Sequence, residues 1–284
     1  MLDHPIIDVG IGLIFFYVIF SLVASTIQEW IASMFALRAR CLRKGMQNLV
    51  GESCAEKVYQ HPLVKNLGKD NKLPSYIAPE TLSIVLLDIV AKESDGSLNG
   101  GHDHEMRCPS DLVKKLDEDH PLKVILVPLL GVGNSATIDL RKKLERWIDE
   151  GMFRIAGWYK RQAKWMIFVI ASILTLTTNA SSIHIAEEIW RNDALRMQIS
   201  AQGQMIAQSG DASSLQVSDL ETLEAFPIGW KIAPQDFLDL LKSFLGWTIT
   251  TAAINLGAPF WFDLLGKVTN LRGSGNQVEP SKTS

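Results

Sequence analysis

Three stretches of this chain, residues 9–27, 165–186 and 243–262, contain no Asp, Glu, Lys or Arg. Each approaches the ~20 residues an α-helix needs to cross ~30 Å of hydrocarbon, and helices of globular proteins seldom run so long without a charge. Average composition conceals this, because 284 residues at 47% hydrophobic and 21% charged match a soluble protein of one or two domains. The clumping of the apolar residues decides the fold class: an all-α membrane protein with three transmembrane helices, whose first partner is the lipid bilayer.

The flanking charges orient it. "MLDHPIID" has no basic region and no prompt cleavage site, so the first run reads as a retained anchor and not a signal peptide. Arg38, Arg40, Arg43 and Lys44 follow this run, and only Asp3, His4 and Asp8 stand before it. The positive-inside rule then places the N-terminus in the periplasm and residue 38 in the cytoplasm. Arg154, Lys160, Arg161 and Lys164 precede the second run, while Glu187 and Glu188 follow it. Residues 38–164 hold 21 Lys and Arg against 17 Asp and Glu, whereas residues 187–242 hold 4 against 9. Lys267 and Arg272 after the third run return the C-terminus to the cytoplasm.

The expected division is a first transmembrane helix over 1–37, a cytoplasmic helical region over 38–164, a second helix over 165–186, a periplasmic helical segment over 187–242, a third helix over 243–264 and a cytoplasmic, disordered tail over 265–284. Cys41, Cys54 and Cys108 all fall in the inner region, where a reducing compartment keeps them as thiols.

The first helix is expected to continue through "QEWIASMFALRARCLRKGMQNLV" and to stop at Gly51. "APETLSIVLLDIVAKES" and "PSDLVKKLDED", the latter with Ser110 as N-cap, read as short amphipathic helices separated by the loop "SDGSLNGGHDH", in a small helical layer against the membrane. From Ser135 onward, Leu140, Leu144, Ile148, Met152, Ile155 and Tyr159 recur every three to four residues, a helix that feeds straight into the second span. Trp158, Tyr159 and Trp165 among Lys160, Arg161 and Lys164 suit the inner interface. Ser218 to Glu221 match a capping box, Pro227 ends that short helix, and Pro234 suits the start of the next. No internal repeat is evident.

Chemistry-bearing motifs are weak. Gly131, Gly133 and Ala136 in "VILVPLLGVGNSATIDL" have half the spacing of a dinucleotide fingerprint, but Pro128 would interrupt the preceding strand and the following helix enters the membrane. His102, His104, Glu105 and Cys108 in "HDHEMRC" are capable ligands without the second paired cluster zinc sites usually show. No catalytic grouping stands out, so neither enzyme activity nor a cofactor or metal is expected, and a net charge of −3 gives no case for nucleic acid.

Polar residues within the apolar runs remain. Ser21, Ser25, Gln28, Glu29 and Ser33 follow helical spacing on the first helix; Ser172, Thr175, Asn179 and Ser182 do so on the second, and Thr248, Thr251 and Asn255 on the third. Such stripes suit interhelical hydrogen bonds within or between protomers; the alternative is a water-lined path in an oligomeric ion channel, with Glu29 and Asn255 exposed to it. Near the end of the third run Gly257 and Pro259 are expected to kink the helix and free the Asn255 carbonyl. Phe260, Trp261 and Phe262 would form an interfacial belt, and Asp263 stands four residues before Lys267, the spacing of an ion pair.

"ERWIDEGMFRIAGWYKR", "ALRARCLRKGMQNLVG" and "LGAPFWFDLLGKVTNLRG" resemble the most characteristic segments of a widespread family of uncharacterised bacterial membrane proteins. The resemblance runs over nearly the whole chain and implies a bacterial inner membrane, with no established activity. It would place Asn-Ala-Asp after the second span, where this chain has Asn179, Ala180 and Ser181 and so no acid. Together these readings predict a membrane anchor or scaffold subunit that assembles as a homo-oligomer or with a membrane-protein partner.

Overall fold

The computed structural model describes residues 5–68, 72–95, 109–130, 137–209, 226, 228–230 and 236–274. Among them every regular element is a helix: α1 (Pro5–Met34), α2 (Leu37–Val50), α3 (Glu52–Gln60), α4 (Pro62–Lys65), α5 (Pro79–Asp95), α6 (Pro109–Lys115), α7 (Pro121–Leu130), α8 (Thr137–Thr177), α9 (Ser182–Arg191), α10 (Asp193–Ser209), α11 (Phe237–Leu256) and α12 (Ala258–Ser274). The chain divides into two compact units, one of Met1–Ile31 with Ala163–Ser284 and one of Ala32–Gln162, and the division falls within α1 and α8.

The unit of residues 32–162 has its own core, with Met46, Val50, Val58, Ile77, Leu82, Leu86, Leu122, Leu126, Leu140, Leu144 and Ile148 fully or almost fully buried. It is therefore a compact helical unit built around a core of its own. Leu140, Leu144, Ile148 and Ile155 of α8 supply one wall, as their spacing predicts. α2 crosses α8 in antiparallel order: Arg38 donates to the Tyr159 hydroxyl at 3.3 Å, the Cys41 thiol meets the Ile155 carbonyl at 3.9 Å, and Leu49 faces Gly151. The crossing is close because two glycines sit in it. A Cβ at Gly45 would lie 2.5 Å from the Ile155 side chain, and one at Gly151 2.8 Å from Leu49.

Two expectations change here. The first helix does not run unbroken to Gly51, because Ala36 adopts the left-handed conformation (φ 48°) and separates α1 from α2. That conformation costs an L-residue roughly 1–2 kcal/mol, so packing and not local preference sets the break. Residues 124–130, weighed above as a possible strand, lie in α7 with Pro128 inside it.

The other unit holds the candidate membrane-spanning helices. α1 and α11 are each long and apolar enough to cross, and α8 with α9 makes a third if that pair, bent by 50°, is one span. The second apolar run is thus not one helix. Helix from residue 165 to 177 covers only ~20 Å, short of ~30 Å, and the chain breaks before α9 begins.

α1 is the axis around which this unit packs, and the order of its contacts fixes the paths of its neighbours. Tyr17 reaches Ser182, which meets Thr250 of α11, while Ser21 donates to the Ile254 carbonyl at 3.3 Å. α11 thus descends alongside α1 in the same direction. Beyond Gly257 the order inverts: Trp261 stands against Tyr17 with ring centroids 4.6 Å apart, and Leu265 packs with Ile11 and Ile14. α12 therefore runs back along α1, and α11 and α12 form a helical hairpin. The third run was expected to kink, and it reverses instead. Gly257, at φ 90°, takes a conformation open to glycine, and Pro259 needs no N–H partner in the first turn of α12.

A Cβ at Gly203 of α10 would lie 2.9 Å from Ile11 and 3.7 Å from Leu265, so these three residues share one depth.

Candidate functional site

Four hydroxyl groups, two of them backed by glycine or helix break, meet where α1, α9 and α11 converge. The Tyr17 hydroxyl donates to Ser182 Oγ at 2.7 Å. Ser182 Oγ lies 2.7 Å from Thr250 Oγ1, which also accepts the Ser182 N–H at 3.0 Å and donates to the Gly246 carbonyl at 2.9 Å. Each hydroxyl carries one proton, so the chain has one direction, from Tyr17 through Ser182 and Thr250 to a backbone carbonyl. Ser182 and Thr250 are buried. The Ser181 Oγ is buried beside them without a hydrogen-bond partner and packs directly on the Cα of Gly246, where any Cβ would strike it.

The break between α8 and α9 is held by side chains from later in the sequence. Asn179 takes a left-handed conformation (φ 49°), which asparagine tolerates better than most residues. Its amide donates to the Gly229 carbonyl at 3.1 Å and its Oδ1 accepts the Trp247 indole N–H at 3.0 Å. The freed C-terminal carbonyls of α8 are taken as well: Thr177 by the Trp230 indole at 3.2 Å and Thr178 by the Gly229 N–H at 2.7 Å. At the other break, the Ala253 carbonyl accepts the Trp261 indole N–H at 2.6 Å. Trp261 is thus turned inward onto Tyr17, and the expected belt of three interfacial aromatics loses its middle member.

The sequence candidates fare unevenly. Asn179 lies at the centre of the break, and Thr175 is fully buried with its Oγ1 lacking a hydrogen-bond partner. Thr251 is buried, Ser25 is half-buried, and Glu29, Asn255 and Pro259 are exposed. Asp263 and Lys267 form the ion pair their spacing predicts, at 2.7 Å, with both side chains exposed. Ser172 and Thr248 bond back to the carbonyls of Phe168 and Phe244 in their own helices. Tyr17 and Thr250 went unmarked. Tyr17 stands one turn before Ser21 and extends the same stripe, a signal available from spacing alone.

A second constellation lies in the unit of residues 32–162. His61-Pro62-Leu63 and His120-Pro121-Leu122 open α4 and α7 in the same way: the imidazole Nδ1 accepts the N–H of the leucine two residues on, at 3.3 Å and 3.2 Å. Nε2 therefore carries the ring proton, and it meets Asp88 at 3.0 Å in the first case and Glu93 at 2.6 Å in the second. Each carboxylate also holds a lysine, Lys92 on Asp88 and Lys57 on Glu93. The hydrogen bond from Lys92, with that from His61 behind it, keeps the Asp88 carboxyl below its ordinary range against a smaller desolvation. This short His-Pro-Leu repeat is present in the sequence, where no repeat was recognised.

Burial, with Glu93 adding to it and Lys57 opposing, pushes the Cys54 thiol up to about 12. Cys54 is therefore expected to stay unlabelled by maleimide at pH 7 even in opened membranes, and to react only after unfolding, while the half-buried Cys41 labels in the folded chain. Mass spectrometry of the labelled chain would decide this, and modification of Cys54 at the rate of Cys41 would refute it.

A groove of about 200 Å³ in the same unit is lined by Tyr59, Gln60, Lys65, Lys72, Leu73 and Pro74, none of them sequence candidates. Among the described residues no group of three or more His, Cys, Asp and Glu is placed to hold a metal ion. His102, His104, Glu105, Cys108, Gly131, Gly133, Ala136, the capping box at Ser218, Pro227, Pro234 and residues 275–284 lie outside the described residues. No family model matches the chain, nor does any curated protein or solved structure.

Proposed function

We propose that this chain is an integral anchor or scaffold subunit of the bacterial inner membrane, assembling with itself or with partner proteins and catalysing no reaction. The hydroxyl chain from Tyr17 to the Gly246 carbonyl carries the reading. It uses the central polar groups of three apolar segments against one another, as residues do when they bind helices together and not when they line a wetted path. The exposed apolar residues support the membrane setting, since Phe168, Val169, Ile173 and Leu176 of α8 and Leu241, Phe244, Leu245 and Ile249 of α11 suit lipid better than water. The resemblance of three segments to bacterial membrane proteins supports the location.

In this reading Arg38, Arg40, Arg43 and Lys44 face the cytoplasm, and α12 runs back from Gly257 within the membrane toward the periplasmic end of α1, where α10 also packs. Liposomes containing the purified chain are expected to hold an ion gradient as long as empty ones. Robust ion flux through them would replace the scaffold with the oligomeric channel.

A further inference from the structure

We propose that the outward face of α12, with Asp263, Gly266 and Lys267, is the surface on which a second copy of this chain docks. The proposal rests on the membrane reading above and names the partner that reading leaves open.

Depth is the first argument. Trp261 stands beside Tyr17 and Leu265 packs with Ile11, so Asp263 lies between these levels, inside the uncharged run of residues 9–27. Lys267 follows one turn later. Both side chains are about two-thirds exposed, 69% for Asp263 and 68% for Lys267, so the pair faces outward at a depth where its surroundings would be lipid. Charges in hydrocarbon are unfavourable and are rarely left facing it, so this face calls for a polar cover.

Complementarity is the second. The face holds one acid and one base a turn apart, so a two-fold copy of itself brings each Asp263 within reach of the other's Lys267 and supplies two interchain pairs from one patch. Gly266 lies between them on the same helix, and nothing stands within 4 Å of where its Cβ would be. Two backbones can approach closely at that point. Opposite charges that a single chain already pairs would not need an unrelated partner of defined charge, whereas a second copy matches them by symmetry.

The test measures the mass of the full chain in detergent by light scattering across a concentration series. The wild type is expected as a dimer, with Asp263→Lys and Lys267→Asp each weakening it by about tenfold or more, because each sets like charges against like. The double variant Asp263→Lys with Lys267→Asp restores the complementary pattern and is expected to dimerise within about threefold of wild type. Far-ultraviolet circular dichroism checks that the single variants stay helical, and the double variant keeps the test decisive if one does not. A monomeric wild type, single variants that dimerise unchanged, or a double variant that fails to recover would each overturn the proposal. Recovery of the chain from the soluble fraction without detergent would instead sink the membrane reading itself.

Discussion

Gly246→Val will break the seam between α9 and α11. A Cβ there would strike the Ser181 hydroxyl and lie 3.0 Å from Ser181 Cβ and 3.4 Å from the Ile183 backbone nitrogen. The hydroxyl alone could rotate away, but the serine Cβ and the backbone behind it cannot, so the two helices must separate. Separation draws Thr250 from Ser182 and with it the chain to Tyr17. Overpacking of a close contact costs roughly 1–3 kcal/mol, and the lost interhelical bonds add up to ~2 kcal/mol each in a membrane. The expected readouts are a lower melting temperature in detergent and loss of near-ultraviolet dichroism from the Trp230 and Trp247 pair, whose rings lie 6.0 Å apart beside this seam. Gly157→Ala in α8 is the control, because nothing stands within 4 Å of its Cβ position and alanine favours a helix by about 1 kcal/mol. A Gly246→Val chain that melts with the wild type would show that the two helices do not meet as described.

The second large effect is all or none. With the native cysteines replaced by alanine, Ile6→Cys and Asn270→Cys will react with an impermeant maleimide from the same side of the membrane. Ile6 is exposed at the start of α1, and Asn270 is exposed on α12, past the residue that packs with Ile11. A third helix that simply crossed would put Asn270 on the far side. Labelling of the two cysteines from opposite sides, in intact against opened vesicles, would remove the hairpin.

The sequence carried some of this architecture and not the rest. The spacing of Leu140, Leu144, Ile148 and Ile155 predicted an apolar wall because burial repeats with the helix and needs no knowledge of partners. The break at Thr178–Ser181 was invisible, since no glycine or proline marks it. Gly229, Trp230 and Trp247 make it, and they lie some fifty to seventy positions later. Gly257 and Pro259 did mark an interruption, but a glycine at positive φ gives only permission to turn. The Trp261 bond to Ala253 and the contact with Tyr17 set the angle, and both are tertiary. The polar stripes were near the true contact face, but on the third run the residue that meets its neighbours is Thr250, one position before the marked Thr251 and two after Thr248, which bonds back within its own helix.

The hydroxyl chain also has a history in time. Ser182 lies 165 positions after Tyr17, and Thr250 another 68 after Ser182. At ~5–20 residues per second, the ribosome makes α1 about 8–33 s before Ser182 exists. In the membrane reading α1 therefore enters the bilayer as a lone helix, its tyrosine hydroxyl served by water, headgroups or the insertion machinery. Insertion and association would then be separate events, and the hydroxyl chain closes only when Thr250 of α11 arrives.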